Sequence, residues 1–215
     1  MPYDYTLSPV YDKFPNILNI LNPISVLCTL ILLSLCLFLN KFTSVSSLLL
    51  WYGWACLLNR NILIQNPGIP YVGWMLLAYT LLGCASFDKF RDYRIYYYGW
   101  FLLCLGYTVS GLHKLSCISW LNGNAVEIIL SGALSRNNIL CNIILSLPPS
   151  VLKLLTWSSL ALEITYLPLG SFYHLRPLYS FLGIMFQIGI LLTINFADLT
   201  FGMIMIHLFV AKVIH

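Results

Sequence analysis

The chain has 215 residues, 60% of them hydrophobic, 15% aromatic and only 8% charged, with a formal net charge of +4 and a mean hydropathy of +0.84. Soluble globular domains carry roughly a quarter of their residues as charges, so this composition excludes an ordinary soluble domain and predicts an all-α, polytopic integral membrane bundle. The basic residues lie between apolar runs and form no continuous face, which argues against a nucleic-acid partner and makes the lipid bilayer the expected one.

At roughly 20 residues per spanning helix plus short loops, the length holds about six to eight helices and leaves no room for a sizeable soluble domain. Residues 1–215 are therefore read as a single transmembrane domain. A polar leader, Met1–Asn16, comes first. The run Ile24–Leu39 is preceded by Asp4, Asp12 and a single Lys13 and is followed by no small-residue cleavage site, so it is read as a retained helix rather than a signal peptide. Apolar stretches predict spans at Ile17–Leu39, Ser44–Leu58, Tyr71–Ala85, Tyr96–Lys114, Ser150–Gly170, Leu178–Phe196 and Leu199–Ile214. Tyr96-Tyr97-Tyr98, Trp100, Trp51, Tyr52 and Trp54 suit the aromatic belts of a membrane interface.

Between the second and third spans, Asn59–Trp74 (NRNILIQNPGIPYVGW) crowds Asn59, Arg60, Asn61, Pro67, Gly68 and Pro70 together. Such residues predict a rigid folded loop, either a cover for a site or a tight connector. Asp88–Arg94 (DKFRDYR) is read as a short loop with three basic residues, expected on the cytoplasmic side. Alternation then puts Lys41, Arg176 and Lys212 inside as well. Met1–Asn16, Asn59–Pro70 and Lys114–Pro149 fall outside, giving an extracytoplasmic N-terminus and a cytoplasmic C-terminus. Val126–Leu147 is apolar but broken by Glu127, Arg136, Asn137, Asn138 and Asn142. It is expected to be an interfacial or re-entrant segment packed against protein.

Seven cysteines occur without a C-x-x-C pair, which argues against a disulfide framework, a thiol oxidoreductase or a zinc site. No metal ligand set is expected.

The chemistry concentrates in Gly106–Glu127 (GYTVSGLHKLSCISWLNGNAVE). Ionisable groups in or beside a bilayer are costly and mark functional sites, and here His113 and Lys114 end an apolar segment. A lysine withdrawn from water loses stability in its charged form, and a neutral amine can act as base or nucleophile; the alternative is a lysine that snorkels to the headgroups. Trp120 suits an interface, and Gly123 permits a turn or a close helix approach. Glu127 either faces Lys114 or pairs with Arg136. Glu163 stands in the middle of Ser150–Gly170 and needs a tertiary partner or a proton. Asn195 and Asp198 interrupt the last apolar runs. His207 lies inside the final one, as hydrogen-bonded structure or as a ligand.

The run YTVSGLHKLSCISWLNGNAVEIIL resembles the corresponding stretch of vitamin K-dependent γ-glutamyl carboxylases and of the wider horizontally transferred transmembrane (HTTM) family. Those proteins carry an apolar segment ending in Gly-x-x-Lys-Leu, then a Trp, a Gly and a Glu at this spacing. LALEITYLPLG, with Glu163, and INFADLTFGMIMIHLF, with Asn195, extend the likeness over Tyr96–Phe209, about half the chain. The NPGIPYVGW loop is also similar to bacterial members. The resemblance implies an extracytoplasmic site in which Lys114, with His113 beside it, is the base that deprotonates a reduced quinone. It implies a pocket of Trp120, Gly123, Glu127, Glu163 and Asn195, and a lipophilic quinol-like or peptide substrate.

Two departures limit this. The chain ends at His215, where the carboxylases continue into a large lumenal domain, and Leu192 stands near the position of a carboxylase histidine. Peptide γ-carboxylation by this chain alone is not expected. The competing expectation is a non-catalytic membrane scaffold or accessory protein in peptide maturation or export.

Overall fold

The computed structural model describes residues 22–60, 68–83 and 89–211. They form an all-α protein: α1 (Pro23–Phe38), α2 (Thr43–Arg60), α3 (Gly68–Gly83), α4 (Lys89–Lys114), α5 (Ile118–Leu121), α6 (Ala125–Ser131), α7 (Ile139–Leu145), α8 (Pro149–Gly170), α9 (Arg176–Thr193) and α10 (Ala197–Val210). Among the described residues there is no strand, only an isolated antiparallel bridge between Ser135 and Ile194. The chain divides into two compact units, one of Met1–Asn66 with Gly73–Phe87 and one of Pro67–Val72 with Asp88–His215.

The helix starts follow local chemistry. Pro23 takes the first position of α1, where its missing N–H costs nothing, and Asn22 Oδ1 accepts the Ile24 N–H at 3.0 Å. Within α1, Thr29 and Ser34 return their hydroxyls to the carbonyls one turn back, at 2.8 Å each, so neither leaves a polar group bare on an apolar helix. In the first unit Val26 and Cys56 are buried against Leu30 and Tyr52, joining α1 to α2. Ser47 and Thr80 share a hydroxyl hydrogen bond of 3.0 Å between α2 and α3.

Two loop expectations are corrected. Gly68 and Pro70 belong to the first turn of α3, where a proline is tolerated because its N–H would have no partner; residues 61–67 lie outside the described set. Lys89–Arg94 is the beginning of α4, which runs 26 residues back from Lys114. Lys and Arg are good helix formers, so the helix continues through the charged stretch instead of stopping at Tyr96. Met1–Asn16, Cys84, Asp88 and Lys212 also lie outside the described residues.

In the second unit α4 and α8 pack antiparallel. Trp100 Nε1 donates to Gly170 O at 2.9 Å, Thr108 meets Glu163 and Leu167, and Lys114 meets Glu163. Val126–Leu147 forms the two seven-residue helices α6 and α7, each far short of the roughly 20 residues a span requires. The α6–α7 connection closes the C-terminus of α9. Arg136 N donates to Thr193 O and Arg136 Nε to Ile194 O at 3.0 Å each, and Asn138 Nδ2 donates to Leu192 O at 2.6 Å. These bonds satisfy the carbonyls that a helix end leaves open.

By length and apolarity, one helical stretch among the described residues could cross a membrane, Tyr173–Thr193, with 21 residues and a mean hydropathy of 1.5. A second is counted if α7 and α8, bent by 110°, are taken as one broken span. Ile24–Phe38, Gly68–Gly83 and Ala197–Val210 are apolar but shorter. Large apolar side chains lie outside as well as inside, and several polar ones are buried. Ile24, Phe38, Phe42, Ile118 and Ile139 are each more than 70% exposed, while Glu163, Gln187, Thr156, Thr200 and His207 are buried.

Candidate functional site

A close approach of α4 and α8 defines the site. Gly111 allows it: a Cβ there would stand 2.9 Å from Ile164 N and 3.0 Å from Glu163 Cβ. With that face bare, the backbone of α8 lies directly on α4. One turn further along the same face of α4, Lys114 Nζ donates to Glu163 Oε1 at 2.5 Å. The ammonium also sits 4.5 Å from the centre of the Trp120 ring, where the ring's π face attracts a cation.

The pair is asymmetric. The Lys114 side chain is 23% exposed and that of Glu163 only 4%. Lysine is thus the face a ligand would meet, and the carboxylate is the buried counter-charge behind it. Glu163 Oε2 is buried without a hydrogen-bond partner.

Glu163 is held from its backbone as well. Pro168 interrupts the ladder of α8, and the Thr108 hydroxyl enters the gap. It faces Glu163 O at 3.2 Å and Ile164 O at 3.4 Å, and accepts the Leu167 N–H at 2.9 Å. Thr108 therefore repairs the hydrogen bonding that a proline inside a helix disturbs.

Gly123 has φ +80, the left-handed region a glycine adopts freely, and a Cβ on it would come within 2.9 Å of Lys153 Cγ. It turns the chain after α5 so that Trp157 Nε1 can reach Leu121 O at 3.2 Å. Its contribution is to seat Trp120 and the α5–α6 turn on α8.

The other expected residues are placed elsewhere. His113 is exposed, since successive helical residues point about 100° apart and Lys114 has taken the inward direction. Glu127 is exposed on α6 and pairs with neither Lys114 nor Arg136. Asn195 is exposed too, and its N–H donates to Leu134 O at 2.8 Å. Lys114, Trp120 and Glu163 are therefore brought together, Gly123 supports them, and His113, Glu127 and Asn195 do not join.

A second polar cluster lies deeper. Gln187 Nε2 donates to Tyr107 Oη at 2.8 Å, and Tyr107 Oη is 3.2 Å from His207 Nε2. Tyr107 stacks on Tyr166 with ring centres 4.3 Å apart, and Tyr166 Oη donates to Tyr179 O at 2.6 Å. Sequence reasoning singled out His207 but missed Tyr107 and Gln187; a lone glutamine inside an apolar run was the available signal. Among the described residues, no group of three His, Cys, Asp or Glu is placed to hold a metal ion, and the six described cysteines are free.

No protein-family model, curated protein or solved structure matches the chain.

Proposed function

We propose that this chain is a multi-pass integral membrane protein of the HTTM type, and that the Lys114–Glu163 pair is a proton-accepting site for a lipophilic acidic substrate such as a reduced quinone. The observation that carries this reading is the direct contact of Lys114 with a buried carboxylate in a protein that exposes many large apolar side chains. Its resemblance to the carboxylase stretch adds the substrate class.

The resting pair is an ammonium and a carboxylate, so no neutral amine is needed at rest. Nζ passes one of its protons to Glu163 Oε1, and the lone pair this frees takes the proton of a substrate hydroxyl beside it. The substrate O–H bond and one Nζ–H bond break, and one new Nζ–H and one carboxyl O–H form. The pair ends with lysine still cationic beside the anion it has made, which stabilises that anion in a low-dielectric setting. Trp120 supplies an aromatic wall over the same ammonium.

The test is an anaerobic titration of purified protein with menadiol, following the absorbance of its anion. Wild type should bind it and raise the anion fraction, and Lys114→Ala, if it elutes folded, should not. An anion fraction identical in the two proteins would sink the proposal.

A second reading, a non-catalytic scaffold, draws on the position of the pair at the Gly111 contact, where a charge clamp between helices would also sit. On that reading wild type binds no menadiol, and Lys114→Arg is tolerated in full.

A further inference from the structure

The Lys114–Glu163 reading does not use the buried cluster beyond it. Gln187 on α9, Tyr107 on α4 and His207 on α10 are 3%, 3% and 0% exposed. They form one line of hydrogen bonds, 2.8 Å and 3.2 Å long. At its two ends, Gln187 Oε1 and His207 Nδ1 are buried without partners. Gly183 makes room for the line: a Cβ there would stand 2.5 Å from His207 Cε1 and 2.6 Å from Nε2.

Tyr107 is the middle member, and a phenol has one proton to give. When Gln187 presents its NH₂, the Tyr107 oxygen accepts from it and the hydroxyl proton points to His207 Nε2. The imidazole then carries its own proton on Nδ1. When the amide turns over, Gln187 Oε1 accepts the hydroxyl proton, and the Tyr107 oxygen can accept only from an Nε2–H. Both arrangements contain one hydroxyl proton and one imidazole proton, and both make two hydrogen bonds. An amide presents either end to the same place, and a neutral imidazole protonates on either nitrogen. The two arrangements are therefore alternatives of one chain.

We propose that Gln187, Tyr107 and His207 form a two-state hydrogen-bond relay, in which the orientation of the Gln187 amide sets which His207 nitrogen carries the proton; the change of state breaks one imidazole N–H and forms the other, the proton being exchanged with water during local opening of the helices. The relay ties α9 to α10 through a hydroxyl on α4. It shares its helices with the ion pair, since Tyr107 and Lys114 lie on α4, and Tyr166, stacked on Tyr107, lies on α8 with Glu163. It stands independently of whether that pair deprotonates a quinol.

The test is nitrogen NMR of protein labelled with ¹⁵N-histidine, which distinguishes the two neutral tautomers. His207 is assigned by difference from variants of the other three histidines, His113, His174 and His215. Wild type should show both tautomers of His207. Gln187→Leu should collapse them to Nδ1–H alone, because the phenol is then left to donate to the imidazole, the better acceptor. Gln187→Met, similar in shape to glutamine, provides the same measurement if the leucine variant does not fold. In a Tyr107→Phe background, changing residue 187 should leave the His207 signals unmoved. A single wild-type tautomer unaffected at residue 187, or a residue 187 effect that survives loss of the hydroxyl, would overturn the relay.

Discussion

Gly111 and Ile164 touch backbone to backbone, with only 2.9 Å between Ile164 N and the place a Gly111 Cβ would occupy. Neither partner is the free end of a flexible side chain, so a methyl group there must push α4 and α8 apart. Overpacking of this kind typically costs about 1–3 kcal/mol. Gly111→Ala should lower the thermal unfolding midpoint in detergent and loosen the Lys114–Glu163 contact. An unchanged midpoint would mean that the helices separate freely at this crossing.

The two members of the ion pair should respond unequally to removal. Lys114→Met leaves the Glu163 carboxylate, 4% exposed, without its counter-charge, and breaking a buried pair from one side costs about 3–5 kcal/mol. Glu163→Gln leaves a lysine that is 23% exposed and already over Trp120, so its ammonium can turn toward water or headgroups. Chemical denaturation should find Lys114→Met the more damaging variant, and a second change of Glu163→Gln should recover much of its loss. Equal effects would mean that burial does not distinguish the two charges.

The residues of that pair were legible in the sequence, while their pairing was not. Lys114 and Glu163 stand out because an ionisable side chain in an apolar run is expensive. Glu127, closer along the chain, was an equally open partner for Lys114 until the antiparallel contact of α4 and α8 brought Glu163 to it. Helix positions were readable from the apolar runs, because runs and helices obey the same need to shield the backbone. Their ends were less so: a charged stretch such as Lys89–Arg94 can be the first turns of a helix as readily as a loop. Thr108 carried no signal, since its meaning depends on Pro168, sixty residues away in a different helix. Tyr107 was hidden among 14 tyrosines.

Thr108 offers a substitution that changes chemistry without changing shape. Thr108→Val keeps the branched side chain and deletes the oxygen that meets Leu167 N–H and the Glu163 and Ile164 carbonyls. A buried polar group left unsatisfied costs about 1–3 kcal/mol, and α8 should become less stable around Pro168. Faster amide exchange at Leu167 in Thr108→Val, restored in Thr108→Ser, is the expected outcome. If Thr108→Ser exchanges as fast as the valine variant, the hydroxyl is not the stabilising group.

The proposed orientation in the bilayer can be read from two thiol positions. Cys117 is exposed in the turn after α4, on the end of that helix which the positive-inside pattern assigns to the extracytoplasmic face. Lys41 is exposed between α1 and α2, and the same pattern assigns it to the cytoplasm. A variant keeping Cys117 as its single cysteine should react with a membrane-impermeant maleimide on intact cells. A second variant, with Lys41→Cys as the single cysteine, should react only after the membrane is opened. Reaction of both from one side would refute the alternating topology, and reversal of the two would place Lys114 on the cytoplasmic face. The labelling of Cys117 decides which side of the bilayer the exposed quarter of the Lys114 side chain addresses, and hence which pool of protons and substrates the ion pair could meet.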